Sequence, residues 1–220
     1  DHFLNMLDQD HGFDPLAVLD DMASRRLDPA AVAFSYVPEA ARALGERWLA
    51  DQISFVTVTV GTERLHDVLR RVDEILDVTP TTTGPSALIL VAEAEQHTLG
   101  AYVVALELRA AGFSVTVRVA PVASELTHLM GANRFDVALV SMGCTAALDS
   151  GTGLVRTLRL LSRGHMKIFV GGSISITDER LLSATSADSV LRDVSALVAE
   201  YEGCNQGQPL DRGGRNGIRT

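Results

Sequence analysis

Lysine is almost missing from this chain: Lys167 stands alone against 18 arginines. Arginine replaces lysine everywhere rather than in one patch, which reads as the codon bias of a GC-rich genome. A basic face is missing as well. Net charge is −9; residues 1–80 carry 15 acids and 7 bases, residues 81–202 carry 12 and 9, and only the stretch 203–220 is basic, with three arginines and one acid. An acidic body does not attract a phosphate backbone, so direct DNA binding by the folded part is not expected. Cysteine is confined to Cys144 and Cys204, which form neither a metal-ligand spacing nor a disulfide framework. A reducing cytoplasm is the expected setting. No apolar run reaches the ~18 residues a membrane span needs. The opening Asp1-His2-Phe3-Leu4-Asn5 lacks the basic start and apolar core of a secretory leader. It begins at Asp1 without Met, from which a trimmed upstream segment is expected. No Ser-His-Asp, Cys-His or Walker arrangement is suggested locally, and no catalytic role is expected.

What is present is apolar residue in quantity, 46% of 220 residues, enough for a sizeable core. The first half has helical spacing. Asp14 and Pro15 read as a cap and first turn before Leu16, Val18, Leu19, Met22 and Leu27. Asp28 and Pro29 repeat that signal, and Pro38-Glu39 opens a third helix through Leu44, Trp48 and Leu49. Ile53 to Leu76 is the longest pattern. Its β-branched start (Ile53, Val56 to Val60) mimics a strand, but the later 3–4 spacing predicts helix. These four helices predict a small bundle, with His2 and His11 in a weakly ordered start.

Thr79 to Pro85 is a linker, and after it the period changes. Ala87-Leu88-Ile89-Leu90-Val91 is a continuous apolar run, as a strand buried on both faces requires. A helix over 98–111 ends at Gly112. Further strands are predicted at 113–119, 137–141 and 168–170, with a weak fifth near Ala184, and further helices at 124–131, 148–163 and 186–201. Alternating strands and helices predict a doubly wound, Rossmann-like (flavodoxin-like) α/β domain over 85–202, behind a helical cap over 1–78. The polar, Gly-rich segment 203–220 is expected to be disordered.

Three strand ends carry small or polar residues: Glu95-Gln96-His97-Thr98-Leu99-Gly100, Ser141-Met142-Gly143 and Gly171-Gly172-Ser173. A crevice beyond the carboxyl ends of the strands would gather all three. Glu95 and His97 are two apart, so the carboxylate can fix one imidazole nitrogen and raise the basicity of the other, as in metal-ligating histidines. Alone, a loop histidine more often faces solvent or caps a helix. His66 and His128 read as solvated, and His165 as a helix-end residue. Cys144 reads as a small buried residue beside the loops, not a redox sensor.

Taken in order, Glu95-x-His97-x-x-Gly100, Ser141-x-Gly143 and Gly171-Gly172 resemble the cobalamin-binding fold family, whose pattern is Asp-x-His-x-x-Gly, Ser-x-Leu and Gly-Gly. Leu44-Gly45-Glu46-Arg47-Trp48 before a long helix resembles that family's four-helix-bundle cap. The resemblance covers roughly residues 10–202. It implies His97 as the lower cobalt ligand, with cobalamin base-off and His-on. It also implies Ser141 bonded to the displaced base, Gly171 and Gly172 leaving room along it, and Trp48 over the corrin. Phe55, Thr59, Glu95, Thr98, Leu99, Gly100, Met142 and Gly143 complete the implied site. The bland reading of Trp48 is a bundle-core residue.

Two departures matter. Glu95 replaces the usual Asp, as in the cobalamin photoreceptor repressors. Those photoreceptors carry Glu-His where Val58 and Thr59 stand here, so hydroxo- or aquocobalamin is expected rather than adenosylcobalamin. Trp48, Phe55-Val56-Thr57, Gly61-Thr62 and Arg64-Leu65, with the Glu form of the His motif, most resemble the AerR/PpaA family. That family comprises cobalamin-binding, light-linked antirepressors acting on a partner repressor of the PpsR/CrtJ type that controls photosystem genes. The alternatives are a corrinoid methyl-carrier protein of a methyltransferase system, a haem-binding sensor, or a protein-interaction module with an empty pocket.

Overall fold

The computed structural model describes residues 2–7, 12–76, 84–95 and 97–205. Among the described residues four helical rods form the N-terminal part, though not the four that the spacing predicts. The first is α1, His2–Leu7, where a weakly ordered start is expected; it buries Phe3 and Leu7, and His2 Nε2 lies 2.6 Å from Asp21. The second is α2, Pro15–Ser24, capped by the Asp14 carboxylate, which accepts from Leu16 N at 2.9 Å. The third is continuous where a break is expected at Pro38. It runs from α3, Pro29–Ala31, through a π turn, Val32–Tyr36, into α4, Val37–Leu49. Pro38 has no N–H and its ring crowds the preceding turn. The π turn widens the backbone at that point, and Val37 N–H reaches back to Val32 O. The fourth rod is α5, Phe55–Leu76, so the β-branched opening is helical; Ser54 Oγ accepts from Thr57 N at its start.

The second part is a five-stranded parallel sheet in the order β2-β1-β3-β4-β5. The strands are β1, Ser86–Val91; β2, Ser114–Val119; β3, Val137–Ser141; β4, Lys167–Gly171; and β5, Ser189–Leu191. Register pairs Val91 with both Val119 and Ser141, and Ser141 with Gly171, so the three candidate loops leave the sheet at one level. Helices α6, Leu99–Ala110, and α10, Val194–Asn205, cover one face. Helices α7, Ala123–Ala132, α8, Leu148–Ser162, and α9, Asp178–Thr185, cover the other. The predicted fifth strand near Ala184 is wrong. That residue lies in α9, whose first turn is set by Thr177 accepting from Arg180 N, and the strand comes later. Correspondingly, the last helix starts at Val194 rather than Ser186. It also reaches Asn205, three residues into the stretch expected to be disordered; 206–220 lie outside the described residues.

Helix α6 joins the two parts because it is apolar on two sides. Leu99, Val103 and Leu106 enter the cap core with Leu65, Leu69 and Val72 of α5. Ala101, Ala105 and Leu108, offset by two positions, pack on β1 and β3. The cap is therefore built onto the sheet domain through a shared core. Leu65 is fully buried there, so Leu65→Ala should cost roughly 2–5 kcal/mol in urea unfolding. Leu160→Ala on the solvent side of α8, where that leucine is 79% exposed, should stay within about 0.5 kcal/mol.

Candidate functional site

Strands β1 and β3 are neighbours, and the chain leaves them toward opposite faces, α6 after β1 and α8 after β3. This is the switch point at which open α/β sheets form a crevice. Glu95 sits there with its side chain 1% exposed. Oε1 accepts from His97 N at 2.5 Å and lies 2.9 Å from His97 Nδ1. Oε2 accepts from Gly143 N, across on the β3 loop. One buried carboxylate thus ties the first loop to the second and holds one nitrogen of an imidazole that is itself 80% exposed. With Nδ1 donating to Glu95, Nε2 carries the lone pair and is the nitrogen open to a ligand.

The third loop joins through one backbone bond and one serine hydroxyl. Met142 N donates to Gly171 O at 2.8 Å, and Ser173 Oγ donates to Gly143 O at 3.5 Å. The glycines here do different things. A Cβ on Gly143 would lie 2.3 Å from Glu95 Oε2, and one on Gly172, at φ +120°, would lie 2.2 Å from Met142 O. Both are needed for the loops to close on each other. Gly100, beside His97 at the start of α6, would meet nothing within 4 Å, so the space it leaves is open to an incoming group.

The cap overhangs this place. His66 of α5 meets Thr98, with Nε2 3.3 Å from Oγ1, and Asp73 further along α5 pairs with Arg109 near the end of α6 at 2.9 Å. The two helices therefore run in the same direction, and α5 before His66 projects past the carboxyl ends of the strands. From His66 back to Phe55 it extends about 16 Å at 1.5 Å per residue. Phe55, Thr59 and His66 share a helical face at that spacing. Phe55 is 67% exposed and meets Trp48, 43% exposed, at a ring-centroid distance of 6.2 Å. Trp48 is therefore a surface aromatic of the overhang and not a bundle-core residue.

The structure thus gathers Glu95, His97, Gly100, Ser141, Gly143, Gly171 and Gly172 at one edge of the sheet, with Trp48, Phe55 and Thr59 on the overhang. Three expected site residues are placed otherwise. The Thr98 hydroxyl is turned to His66 of the cap. Leu99 is buried in the cap core, and the fully buried Met142 packs on the sheet face, where a Cβ on Gly151 would lie 2.1 Å from its sulfur. Gln96 lies outside the described residues, as does His11. His128 and His165 are exposed, and Cys144 is half-buried with Sγ 3.7 Å from Ala94 O.

His66 corrects a sequence expectation. It is not solvated but half-buried, edge-on to Tyr102 at 5.4 Å between centroids. Burial, the largest cause, pushes its pKa below the ordinary value; Glu63 opposes this, Arg70 adds to it and Asp67 opposes it. The exposed apolar rim at Val119 and Val122 was also missed. It follows β2, which lies beside β1, and is held by Ala120 N donating to Val91 O at 2.9 Å with Ala120 at φ +46°. Apolar residues just past a strand end, where loops are usually polar, were the available signal.

Fold and site together define a flavodoxin-like α/β domain under a helical cap, with a carboxylate-held histidine at the switch point. The chain belongs to the family of the uncharacterized 20.5 kDa protein of the bchF-crtJ intergenic region of Rhodobacter capsulatus. It is 36% identical to that protein over 186 residues, 84% of this chain and 97% of that one. Among solved structures, the Methanosarcina barkeri monomethylamine corrinoid protein shares the fold. Its TM-score is 0.72 at 14% identity, covering 91% of this chain and 95% of that one. No protein-family profile matches. Among the described residues no helix is long and apolar enough to cross a membrane.

The glycine contacts make a paired prediction. Gly143→Ala should push the Glu95 carboxylate out of place and destabilise the protein by about 1–3 kcal/mol. Gly100→Ala, in a helix with open space beside it, should be neutral or stabilise by up to ~1 kcal/mol. Urea unfolding of both variants reads the difference.

Proposed function

We propose that this protein binds a cobalamin, base-off and His-on, at the carboxyl edge of the sheet, and that the loaded form is a regulator. The observation that carries the reading is the Glu95–His97 pair: a buried carboxylate fixing one nitrogen of an exposed imidazole. The residues present fit the group. His97 Nε2 is a nitrogen donor suited to a first-row transition metal, and Glu95 supplies the partner that orients such a ligand. Gly100 leaves open space beside it, and the exposed Trp48 and Phe55 offer apolar surface for a macrocycle. Ser141, Gly171 and Gly172 would flank the displaced base. When bound, cobalamin supplies a cobalt centre whose upper ligand can exchange or respond to light, with hydroxo- or aquocobalamin favoured.

The regulatory half of the reading rests on the resemblance to the AerR/PpaA antirepressors and on the relative's position between bchF and crtJ. The partner would be a repressor of the PpsR/CrtJ type. A ligand shifts a conformational equilibrium only if it binds the two states unequally. A cofactor touching both the sheet loops and the overhang meets that condition, because its contacts depend on how α5 sits over His97. A corrinoid methyl-carrier role is the second reading, favoured by the fold shared with the monomethylamine corrinoid protein.

Purified protein incubated with hydroxocobalamin should retain a corrinoid spectrum after gel filtration. His97→Ala should lose most of it, and Glu95→Ala should weaken retention by roughly 10–100-fold, as loss of an orienting partner does. His128→Ala should retain the cofactor like the parent. Equal retention by the His97 variant would remove His97 from the proposal; a Soret band after haem loading and no corrinoid uptake would replace the cofactor. Methyl transfer through a cobalt(I) cycle would favour the carrier reading.

A further inference from the structure

Among the described residues two polar contacts join α5 to α6, His66–Thr98 and Asp73–Arg109, and the first lies beside His97. Thr98 stands at the N-cap position of α6, yet it makes no side-chain capping bond to its own helix and its backbone is helical. Its hydroxyl instead lies 3.3 Å from His66 Nε2, across on α5. The His66 ring meets the edge of Tyr102, and the cleft around them holds about 330 Å³. The rest of the cleft is lined by the apolar Leu69 and Leu106 and closed at its far end by the Asp73–Arg109 pair, so toward His97 the His66–Thr98 contact is the last polar tie between the helices among the described residues.

We propose that His66 is a positioning residue for the cofactor: through Thr98 it fixes the overhanging first half of α5 relative to the neighbouring His97. This rests on the cobalamin reading of His97. The contact is one residue from the imidazole and lies at the root of the overhang, so small tilts there become large displacements of Trp48, Phe55 and Thr59. The charged and titratable groups facing His66 are Glu63, Asp67, Arg70 and Asp73 of α5 with Tyr102 and Arg109 of α6. Asp67 is paired with Arg70, and Asp73 with Arg109. Protonation of a half-buried imidazole in that company favours the arrangement in which it reaches water. Because burial lowers the His66 pKa, the latch holds through the ordinary histidine range and loosens only as pH falls below it.

The test compares the full chain with His66→Ala and His66→Gln. Without cofactor, amide exchange of residues 55–65 should speed up in His66→Ala while 68–76 stay as in the parent. With hydroxocobalamin, His66→Ala should hold it roughly fivefold more weakly at neutral pH, the fold-change of one ordinary hydrogen bond. Glutamine, whose side-chain amide can still reach Thr98, should restore both and remove part of the acid limb of the retention profile. Unchanged exchange in His66→Ala, or an acid limb in His66→Gln identical to the parent's, overturns the proposal. If the parent takes up no hydroxocobalamin, the cofactor reading fails by itself, and the exchange comparison decides the latch.

Discussion

A carboxylate buried between two loops is costly unless its oxygens are bonded, and in this protein the bonds of Glu95 organise the whole carboxyl edge of the sheet. They reach the backbone of its own loop, the ring of His97 and the backbone of the β3 loop. Remove the carboxylate, and two backbone N–H groups lose their acceptor at on the order of 1–3 kcal/mol each. The imidazole also loses what sets its tautomer. The same interaction therefore holds the crevice together and prepares the exposed nitrogen of His97. Gly143 follows from it, since only a residue without Cβ lets the carboxylate reach that amide.

The second constraint is the double-sided helix α6. By packing Leu99, Val103 and Leu106 on the cap and Ala101, Ala105 and Leu108 on the sheet, it makes the position of α5 a consequence of where β1 ends. The overhang of Trp48, Phe55 and Thr59 is then fixed by geometry at the start of that helix, next to His97. If His97 holds the cofactor as proposed, a signal that begins there has a short route to the cap.

Much of this was legible in the sequence because the strongest patterns are local. The apolar run of β1, the Asp-Pro caps of α2 and α3, and the short polar strand ends each announce their own conformation. The strand ends also gave the site's loops. What was not legible depended on partners distant in sequence. The π turn at Pro38 needs a bond from Val37 to Val32 that no capping pattern signals. Helix α9 and strand β5 are short and weakly apolar, so propensity put a strand where α9 lies and ran the last helix through β5. His66 looked solvated because its neighbours on α5 are charged; only the docking of Tyr102 and Thr98 from another helix buries it. Leu99 and Met142 sit within the motifs, but motif position says nothing of which way a side chain faces, and the two cores took them.

The most direct measurement is the electron paramagnetic resonance spectrum of the protein loaded with cobalamin and reduced to the cobalt(II) state, prepared once with ordinary histidine and once with histidine carrying the heavy nitrogen isotope. If the Glu95-held imidazole is the axial ligand, the nitrogen splitting changes from triplets to doublets on labelling. Triplets that survive labelling would mean that the cofactor's own base, and not His97, holds the cobalt.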